Sequence, residues 1–455
     1  MTYFAEASKR MVFQNFSTDD WIYRGEGNCH VVLALPSTKQ ILRIRKTKLT
    51  LGLYIVRLLT WLSDLIYWYF GTGFREEKVD VKFYLKVMRP LFGQTYVSDA
   101  KQVILSTSQI NYLEKNLDKH RPEHRKHKIL DYGRATLFDD FTCINNDYLP
   151  FNISKDTFSF EFKPKQDWEP LLNLNKHPRH TFCMNQYYKL EKKLISNRSN
   201  YCPHDLFSGT EENVSKAIKS LIETPQNNFR VFKNGEEIYG DSKKTDFLLI
   251  LSDLFGESLN KKDLSVFYDL MHECLTKNIV SRKEQNECNK KWLCEWNRQI
   301  NMSTNYKLEK DSVLEKILSV QMLNTEGASY YNKLMKNKQI KDLKYVNKVL
   351  KEVNKHPGTC MKCIMMILGN KDKDLLIVQY LMAAVANDCS FMVTLKRIKD
   401  KVEDMEIGNI VHSKYGSFLV RIGIFDLYPK PVFTITKHEK RNKDILDAFT
   451  RNNSL

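Results

Sequence analysis

Two glycines separated by one residue, Gly25 and Gly27, interrupt a run of alternating polar and apolar residues between Trp21 and Lys46. Alternation of this kind is typical of β-strands that bury one face. Glycine supplies the positive φ values that other residues avoid, so the glycines predict a tight turn at residues 25–27 between two strands. We therefore expect a β-hairpin near the beginning of the chain, and any fold assigned to the chain has to include it.

The hairpin has two functional interpretations. Glycine-rich turns followed by basic residues cover nucleotide phosphates in kinase-like proteins, where backbone N–H groups face the phosphate oxygens. An ordinary β-hairpin uses the same glycines without binding a ligand. The turn alone leaves both interpretations open.

The bulk composition describes a globular protein with a strong positive charge. The chain has 455 residues, 42% hydrophobic and 27% charged, which is enough for two lobes. The formal net charge of +17 favours nucleic acid, an anionic membrane surface or a phosphorylated small molecule as partner. The 10 cysteines are too sparse for a disulfide framework, and the first residues contain no apolar core of signal-peptide length. We expect an intracellular protein of the cytoplasm, the nucleus or both.

One segment, residues 49–70, is apolar enough to suggest a membrane span. Arg57 and Asp64 lie near its middle, about two helical turns apart, so both charges would face one side of a helix. A span would need a partner for each charge, whereas a helix packed on a lobe or lying on a membrane surface needs none. We expect a soluble helix and no transmembrane span.

The remaining pattern predicts an α+β, bilobal protein. Residues 1–145 are the predicted smaller, mainly β N-lobe with the glycine-rich turn and a hinge, and residues 146–455 are the predicted larger α/β C-lobe. Thr210 is the predicted N-cap of the helix TEENVSKAIKSLIE. Asn234-Gly235 predicts a hairpin turn, and residues 281–310 predict a polar insertion.

Two charged stretches stand next to apolar strands. In FEFKPK, Glu161, Lys163 and Lys165 recur at every second residue, which would place three charges on one face of a strand. A solvated edge strand gives the same pattern without a function. In FDLYPKP, Asp426 follows an apolar strand, as a metal-binding carboxylate does in kinases, and Lys430 lies four residues on.

Taken in order along the chain, the glycine turn, FEFKPK, DLFSG, TPQNNFRVF and FDLYPKP resemble the corresponding stretches of the inositol-pentakisphosphate 2-kinase family. Its members transfer the γ-phosphoryl group of ATP to the 2-hydroxyl of inositol pentakisphosphate and make inositol hexakisphosphate (phytate). The resemblance spans nearly the whole chain, and TPQNNFRVF and DLFSG are far more specific than a glycine-rich turn. The residues that carry it are Tyr23–Asn28, Leu42–Ile44, Glu161–Lys165, Met184, Gln186, Lys189, Asp205–Gly209, Thr224–Phe232, Asp388–Ser390, Asp426, Lys430 and Pro431.

The resemblance implies a fold distantly like that of protein kinases, with ATP and Mg²⁺ as cofactors. Asp388 and Lys163 are the implied catalytic residues at the reacting hydroxyl, where a carboxylate can orient or accept a proton and an ammonium can neutralise developing charge. Asp426 is the implied Mg²⁺ ligand, with Asp388 as a second candidate. The implied nucleotide-binding residues are Arg24, Gly25, Glu26, Gly27, Asn28, Arg43, Asp140 and Glu161.

The acceptor brings a large negative charge, because five phosphates at about −1.5 to −2 each sum to roughly −7.5 to −10. This acceptor accounts for a strongly basic chain. The acceptor-binding residues that the resemblance implies are Arg121, Lys165, Lys189, Asn227, Asn228 and Lys430.

The chain departs from the family pattern in its expected acceptor site. The family usually has an arginine three residues before the methionine of its Met-His-Gln stretch, and that position is Thr181 here. Arg179 is the nearest candidate replacement, because residues i and i−2 of an extended segment point the same way. A solvated loop arginine is the alternative, since Pro178 makes the local backbone irregular.

Further departures lie toward the C-terminus. Thr434 and His438 occupy positions where some members place Arg and Tyr against the inositol phosphate. Cys360 and Cys363 occupy a region where some members bind a structural zinc ion, but the flanking histidines do not match. We therefore expect reduced thiols there and no structural Zn²⁺.

Two other classes of function stay open. A catalytically impaired inositol-phosphate-binding protein would have lost catalysis, yet Asp388, Asp426, Lys163 and the glycine turn are all present. A basic nucleic-acid-binding protein would use the same net charge, but the chain carries no zinc finger or RNP-type aromatic motif, so we expect no stable nucleic-acid partner. We also expect a monomer.

Overall fold

The computed structural model describes residues 20–48, 55, 58–59, 62, 79–103, 105–144, 152–170, 179–279, 306–336, 344–354, 364, 373–400 and 409–453. Most of the apolar segment 49–70, the predicted polar insertion up to residue 305 and the Cys360–Cys363 pair lie outside these ranges. No helix formed by the described residues has the length and apolar character needed to cross a bilayer.

The described residues form two antiparallel sheets and the helices around them, which confirms the predicted mixture of α and β structure. The strands are β1 Ile22–Glu26, β2 His30–Leu35, β3 Gln40–Lys48, β4 Lys101–Val103, β5 Lys128–Asp139, β6 Phe158–Phe162, β7 Phe229–Lys233, β8 Glu236–Tyr239, β9 Ser390–Ile398, β10 Ile410–Ser413 and β11 Gly416–Phe425. The helices are α1 Val79–Phe83, α2 Arg89–Phe92, α3 Thr107–Leu117, α4 Thr181–Glu191, α5 Pro203–Phe207, α6 Glu211–Glu223, α7 Phe247–Phe255, α8 Leu264–Thr276, α9 Val313–Gln321, α10 Ala328–Lys336, α11 Lys344–Val353, α12 Lys373–Ala386 and α13 Thr434–Asn453. A π-helical turn, Tyr84–Met88, joins α1 to α2.

Residue contacts divide the chain into two compact units. The first unit comprises residues 1–81 and 99–140, and the second comprises residues 82–98 and 141–455. The predicted N-lobe, residues 1–145, therefore differs from the first unit mainly by including residues 82–98. The kinase-like arrangement of two lobes stays a prediction.

Residues 82–98 belong to the second unit because their partners lie far along the chain. Tyr96, only 2% exposed, donates its hydroxyl proton to the Asp311 carbonyl at 2.8 Å, and its own carbonyl accepts from the Ile424 N–H at 2.7 Å. Val87 and Phe92 are completely buried. Removing such side chains from water stabilises this part of the second unit by about 1.5–3 kcal/mol each.

The first unit is built on a five-stranded antiparallel sheet with strand order β1-β2-β3-β5-β4. Helix α3 begins with a capping box, in which Ser106 Oγ accepts from the Gln109 N–H and the Gln109 side chain accepts from the Ser106 N–H. The apolar residues of the strands and of α3 form one core: Val31, Leu33, Leu35, Leu42, Ile44, Val103, Leu105, Ile110, Leu113, Leu117, Leu130, Ala135 and Leu137. The alternation seen in the sequence is therefore the signature of a sheet with one face on this core.

The second unit contains a six-stranded antiparallel sheet with strand order β10-β11-β9-β6-β7-β8. All five residues of β6 are buried, and β6 pairs with strands on both sides. The edge-strand alternative for FEFKPK is therefore wrong. The predicted strand is also too long, since β6 ends at Phe162 and leaves Lys163 and Lys165 in the following loop. Pro164 explains the end, because proline has no N–H to donate to a ladder.

Two local predictions in the second unit are confirmed. Helix α6 begins directly after Thr210, although Thr210 makes no side-chain capping bond. The β7–β8 hairpin turns at Asn234 and Gly235, whose φ values of 51° and 80° are those of a tight hairpin turn.

Candidate active site

Several predicted site residues meet at one edge of the six-stranded sheet. The ladder pairs Phe162 with both Phe229 and Phe391, and it pairs Ser390 with Phe425. Residues just outside these positions must therefore lie at the same edge. They are Lys163 and Lys165 after β6, Asn227 and Asn228 before β7, Asp388 before β9, and Asp426 and Lys430 after β11.

Asp388 lies between α12 and β9, where two lysines contact its carboxylate. Lys430 Nζ donates to Oδ2 at 2.8 Å, and Lys165 Nζ lies 3.6 Å from Oδ1. Burial alone would raise the pKa of this carboxyl, but the charges of Lys430, Lys165 and Lys163 outweigh burial and lower the pKa to about 2. Asp388 is therefore ionised at neutral pH.

The loop after β6 holds Lys163 and Lys165 through its backbone. The Lys163 N–H donates to the Asn228 carbonyl at 2.8 Å, and the Lys165 carbonyl accepts from Gln321 Nε2 at 2.8 Å. Lys165 has a φ of 64°, an uncommon conformation for a residue with a side chain. Burial and the neighbouring Lys163 charge lower the pKa of Lys165, although Asp388 opposes this shift.

Helices α4 and α13 pack together and bring two more cations to this loop. Burial, followed by the charges of Lys165 and Arg441, lowers the pKa of Lys189 on α4 to about 8. Arg441 on α13 donates to Asn185 Oδ1 at 3.3 Å, and its guanidinium lies 5.6 Å from the centre of the Tyr188 ring. We use the name cationic cluster for the five basic residues Lys163, Lys165, Lys189, Lys430 and Arg441.

Arg441 is the residue of this cluster that sequence reasoning missed. The sequence does contain an indication of Arg441, because Thr434, His438 and Arg441 follow one another at intervals of four and three residues on α13. Such intervals place side chains on one face of a helix. Extending the helical spacing from Thr434 and His438 by one step finds Arg441.

His438 lies beside the cluster without adding a charge to it. Its Nδ1 lies 2.9 Å from the Tyr380 hydroxyl. Burial, with the charges of Lys430 and Lys437, lowers the pKa of His438 to about 4, so the ring is neutral at neutral pH.

Asn228 is a buried amide that the described residues leave unsatisfied. The residue is 1% exposed, and neither Oδ1 nor Nδ2 has a hydrogen-bond partner in the described part of the chain. A buried amide without partners costs about 1–3 kcal/mol, which a ligand group reaching it would offset. Asn227, by contrast, is exposed.

Asp426 directly follows β11, as predicted, and has a φ of 67°. Burial, together with the charges of Asp388 and Asp426, raises the pKa of the buried Cys389 thiol, so both carboxylates are near that residue. Within the ranges that the structure describes, no three His, Cys, Asp or Glu side chains form a metal-binding group. Two carboxylates still fit Mg²⁺, which proteins bind through one or two carboxylates plus substrate phosphates.

The first unit contains the glycine-rich hairpin, and its turn, residues 27–29, lies two residues later than predicted. Gly25 pairs with Val32 and Glu26 with Val31, so both belong to β1 rather than to the turn. The Gly27 N–H donates to the His30 carbonyl at 2.9 Å and closes the tip around Asn28. Gly25 has a φ of 140°, which favours glycine, and a Cβ added at Gly25 or Gly27 would meet no atom of the described residues within 4 Å. The described part of the chain therefore leaves the backbone here uncrowded.

Glu26 is buried in an ion cluster inside the first unit. Arg121 donates to both carboxylate oxygens at 3.1 Å, and Lys46 Nζ also donates to Glu26. The Glu26 side chain is 0% exposed and that of Arg121 is 8% exposed. Burial would raise the pKa of Glu26, but hydrogen bonds from Arg121 and Lys46 lower it. In this structure Glu26 therefore holds Arg121 in place, and neither side chain is exposed to a ligand.

The other predicted nucleotide-binding residues lie in different units. Arg24 contacts Asp140 across 3.4 Å in the first unit, and its buried Nε has no hydrogen-bond partner among the described residues. Arg43, on β3, lies with its guanidinium 5.8 Å from the centre of the Phe138 ring. Glu161 belongs to the second unit, where it is buried in β6.

Arg179 does not have the geometry on which its prediction relied. Thr181 is the first residue of α4, so Arg179 and Thr181 do not form part of one extended segment. The exposed Arg179 guanidinium instead donates to the Tyr187 hydroxyl at 2.9 Å. A role of Arg179 in acceptor binding stays a prediction, and Arg441 is a guanidinium already placed beside Lys189.

Comparisons with known proteins give the same family that the site residues suggest. The model of the inositol-pentakisphosphate 2-kinase family matches residues 23–444. The chain is 28% identical to the inositol-pentakisphosphate 2-kinase of Arabidopsis thaliana and 26% identical to that of Danio rerio. Each match covers 97% of this chain and 95% of the relative. The match includes both units, the cationic cluster and the two aspartates, and the chain therefore belongs to the inositol-pentakisphosphate 2-kinase family of transferases.

Proposed function

We propose that this protein transfers the γ-phosphoryl group of ATP to the 2-hydroxyl of inositol 1,3,4,5,6-pentakisphosphate and releases inositol hexakisphosphate. The single observation that carries the proposal is the meeting of the cationic cluster with Asp388 and Asp426 at one sheet edge. Five positive side chains suit an acceptor with a charge of roughly −7.5 to −10. A carboxylate among them can orient a hydroxyl nucleophile and accept its proton.

Asp388 orients the acceptor hydroxyl and receives its proton. With Lys430 and Lys165 in direct contact, its pKa of about 2 makes it a weak base. Acceptor phosphates compete for the same lysines, so their binding weakens these ion pairs and raises the pKa of Asp388. The base therefore becomes stronger only when the acceptor is bound.

Lys163 and the two asparagines position the reacting groups. Lys163 is close enough to lower the pKa of Asp388, and its ammonium would neutralise charge on the phosphoryl group as it transfers. The buried Asn228 amide, which lacks a partner in the described residues, would donate to or accept from the acceptor, with Asn227 beside it. Asp426 would hold Mg²⁺, which would neutralise charge on the ATP phosphates when bound.

The first unit contributes the nucleotide contacts. The Gly25–Asn28 segment would cover the phosphates, because none of the described residues comes within 4 Å of a Cβ added at Gly25 or Gly27. Arg24 and Arg43 would add positive charge there, and the buried Arg24 Nε is a donor available for a nucleotide oxygen. Asp140, in the same unit, would bind the adenosine.

The direct test is turnover. The purified protein is incubated with Mg-ATP and inositol 1,3,4,5,6-pentakisphosphate, and the products are separated by anion-exchange chromatography and identified by phosphorus NMR. We expect inositol hexakisphosphate and ADP in equal amounts. Tight binding of the acceptor with no product would instead indicate an inositol-phosphate-binding protein without catalysis.

A pH series tests the acceptor contact of Lys189. We expect the acceptor KM to rise above a pH of about 8, because Lys189 loses its proton there and with it a charged contact to phosphate. Loss of one such contact costs about 1.5–3 kcal/mol, or roughly ten- to a hundredfold in affinity. Lys189→Arg should remove the pH dependence, since guanidinium stays protonated. The measurement is KM for acceptor and for ATP between pH 7 and 9.5.

Lys192 provides the matched control for this series. It lies at the end of the same helix, 5.9 Å from the centre of the Tyr188 ring. Lys192→Arg should leave the profile of the parent unchanged. A Lys189→Arg profile identical to that of the parent would show that Lys189 makes no charged contact with the acceptor.

A further inference from the structure

The alternation of side chains in the six-stranded sheet brings three polar residues to one face at its active-site edge. Phe162 pairs with Phe229 and with Phe391, and its ring lies 5.1 and 5.0 Å from theirs, measured between ring centres. The three phenylalanines therefore share one face of the sheet. Because successive side chains of a strand alternate, the next residue toward the edge on each strand faces the opposite way. These next residues are Ser390, Lys163 and Asn228.

The three residues form a row across β9, β6 and β7, which we call the terminal row. Ser390 is the first residue of β9 and pairs with Phe425. The Lys163 N–H donates to the Asn228 carbonyl at 2.8 Å, which continues the β6–β7 ladder by one step. Neighbouring strands lie about 4.7–4.9 Å apart, so Ser390 and Asn228 are roughly 10 Å apart with Lys163 between them.

Two members of the terminal row are buried polar groups without partners. Ser390 is completely buried, and its hydroxyl has no hydrogen-bond partner among the described residues. The same is true of both amide atoms of Asn228, which is 1% exposed. Native proteins leave few buried polar groups unpaired, so each exception calls for an explanation. Two exceptions on one face of one sheet edge indicate a place that a bound ligand completes.

The chemistry of the terminal row indicates the kind of ligand. A serine hydroxyl, a lysine ammonium and an amide NH₂ group all donate hydrogen bonds. Lys165 and Lys430 contact Asp388, whereas Lys163 forms no salt bridge within the described ranges. A phosphate group, with its negative charge and several acceptor oxygens, matches three donors of this kind. Lys163 is half-buried, and its flexible side chain can turn to admit such a group beside its two buried neighbours.

We propose that the Ser390 hydroxyl donates a hydrogen bond to a phosphate oxygen of a bound substrate, next to Lys163 and Asn228. This assignment rests on the proposed function, which supplies two phosphate-bearing substrates, inositol pentakisphosphate and ATP. Ser390 is then a further substrate-binding residue of the active site. Its role explains why β9 begins with a polar side chain at a completely buried position.

Isothermal titration calorimetry with Ser390→Ala tests this contact without requiring turnover. One series uses inositol 1,3,4,5,6-pentakisphosphate, and a second uses Mg²⁺ with the non-hydrolysable β,γ-imido analogue of ATP. Loss of one hydrogen bond to a charged group weakens binding roughly ten- to a hundredfold. We expect Kd to rise by this factor for one of the two ligands. The ligand that is affected identifies the substrate whose phosphate Ser390 contacts.

Thermal unfolding without ligand separates this role from a structural one. Ser390→Ala should unfold at the parental temperature or above it, because the substitution removes no hydrogen bond to a described residue. Ser159 is the matched control, since it is a completely buried serine of the same sheet whose Oγ lies 2.8 Å from Thr394 Oγ1. Ser159→Ala should lower the unfolding temperature and leave both Kd values parental.

Parental Kd values of Ser390→Ala for both ligands would overturn the assignment. A fall in its unfolding temperature as large as that of Ser159→Ala would also overturn it, because the hydroxyl would then stabilise the fold. A parent that binds both ligands but makes no inositol hexakisphosphate would contradict the proposed function alone, and the Kd comparison would still decide the role of Ser390. A parent that binds neither ligand would contradict both.

Discussion

Asp388→Asn is expected to lower kcat for phosphoryl transfer by about 10²–10⁴-fold, the usual contribution of a positioned acid or base. An amide of the same shape cannot accept the proton of the hydroxyl. The same substitution should strengthen acceptor binding, because it removes a negative charge that Lys430 contacts at 2.8 Å and Lys165 at 3.6 Å. Freed lysines bind phosphates more strongly. Steady-state kinetics should therefore show a fall in kcat with an unchanged or lower acceptor KM.

Asp253 supplies the control for this substitution. It is a half-exposed aspartate that accepts from Lys233 at 2.5 Å, away from the sheet edge where Asp388 lies. Asp253→Asn should keep parental kcat and KM. Parental kcat in Asp388→Asn would mean that another group receives the proton. A rise in acceptor KM with constant kcat would mean that Asp388 only organises the lysines.

Asp426→Asn should lower kcat by about a hundredfold or more, because a metal ion contributes several kcal/mol of charge stabilisation to the transition state. The substitution suits the backbone, since asparagine tolerates the left-handed conformation that Asp426 adopts at a φ of 67°. The fold should therefore persist. Acceptor binding measured by calorimetry should be retained, while the Mg²⁺ concentration needed for half-maximal rate rises.

Asp311 is a control with the same backbone conformation, at a φ of 65°, and an ion pair with Lys316. Asp311→Asn should leave the Mg²⁺ dependence of the rate unchanged. If Asp426→Asn and the parent had the same Mg²⁺ dependence and kcat, the carboxylate after β11 would not be a metal ligand.

The sequence was most informative where a local rule decides the structure. Asn234-Gly235 predicted the β7–β8 turn because few residues accept positive φ at both central positions. Asp426 was placed correctly at the end of an apolar strand for a similar reason, since the strand pattern stops there. The family resemblance then supplied the residues that meet at the sheet edge, which strand patterns alone do not reveal.

Long-range pairing was the part that sequence reasoning did not supply. Arg121 and Glu26 are 95 positions apart, and nothing in their local sequence indicates that they form a buried ion pair. The limits of β6 were also misjudged, because the alternation continues in FEFKPK after the backbone has left the ladder. A periodic pattern shows only which side chains alternate in polarity. The limits of a strand are set by its backbone hydrogen bonds, and Pro164 has no N–H with which to continue the ladder.

The assignment of residues 82–98 to the second unit has a consequence for protein synthesis. All residues of the first unit have been synthesised once the ribosome has passed residue 140. Tyr96, by contrast, can form its hydrogen bonds only after Asp311, 215 positions later, and then Ile424 have been synthesised. At about 5–20 residues per second, the wait for Asp311 alone lasts roughly ten to forty seconds. Val87, Met88 and Phe92, fully buried in the finished protein, are exposed on the nascent chain during that time. We expect chaperones to be needed chiefly for this apolar segment, because it leaves the ribosome early and is covered late.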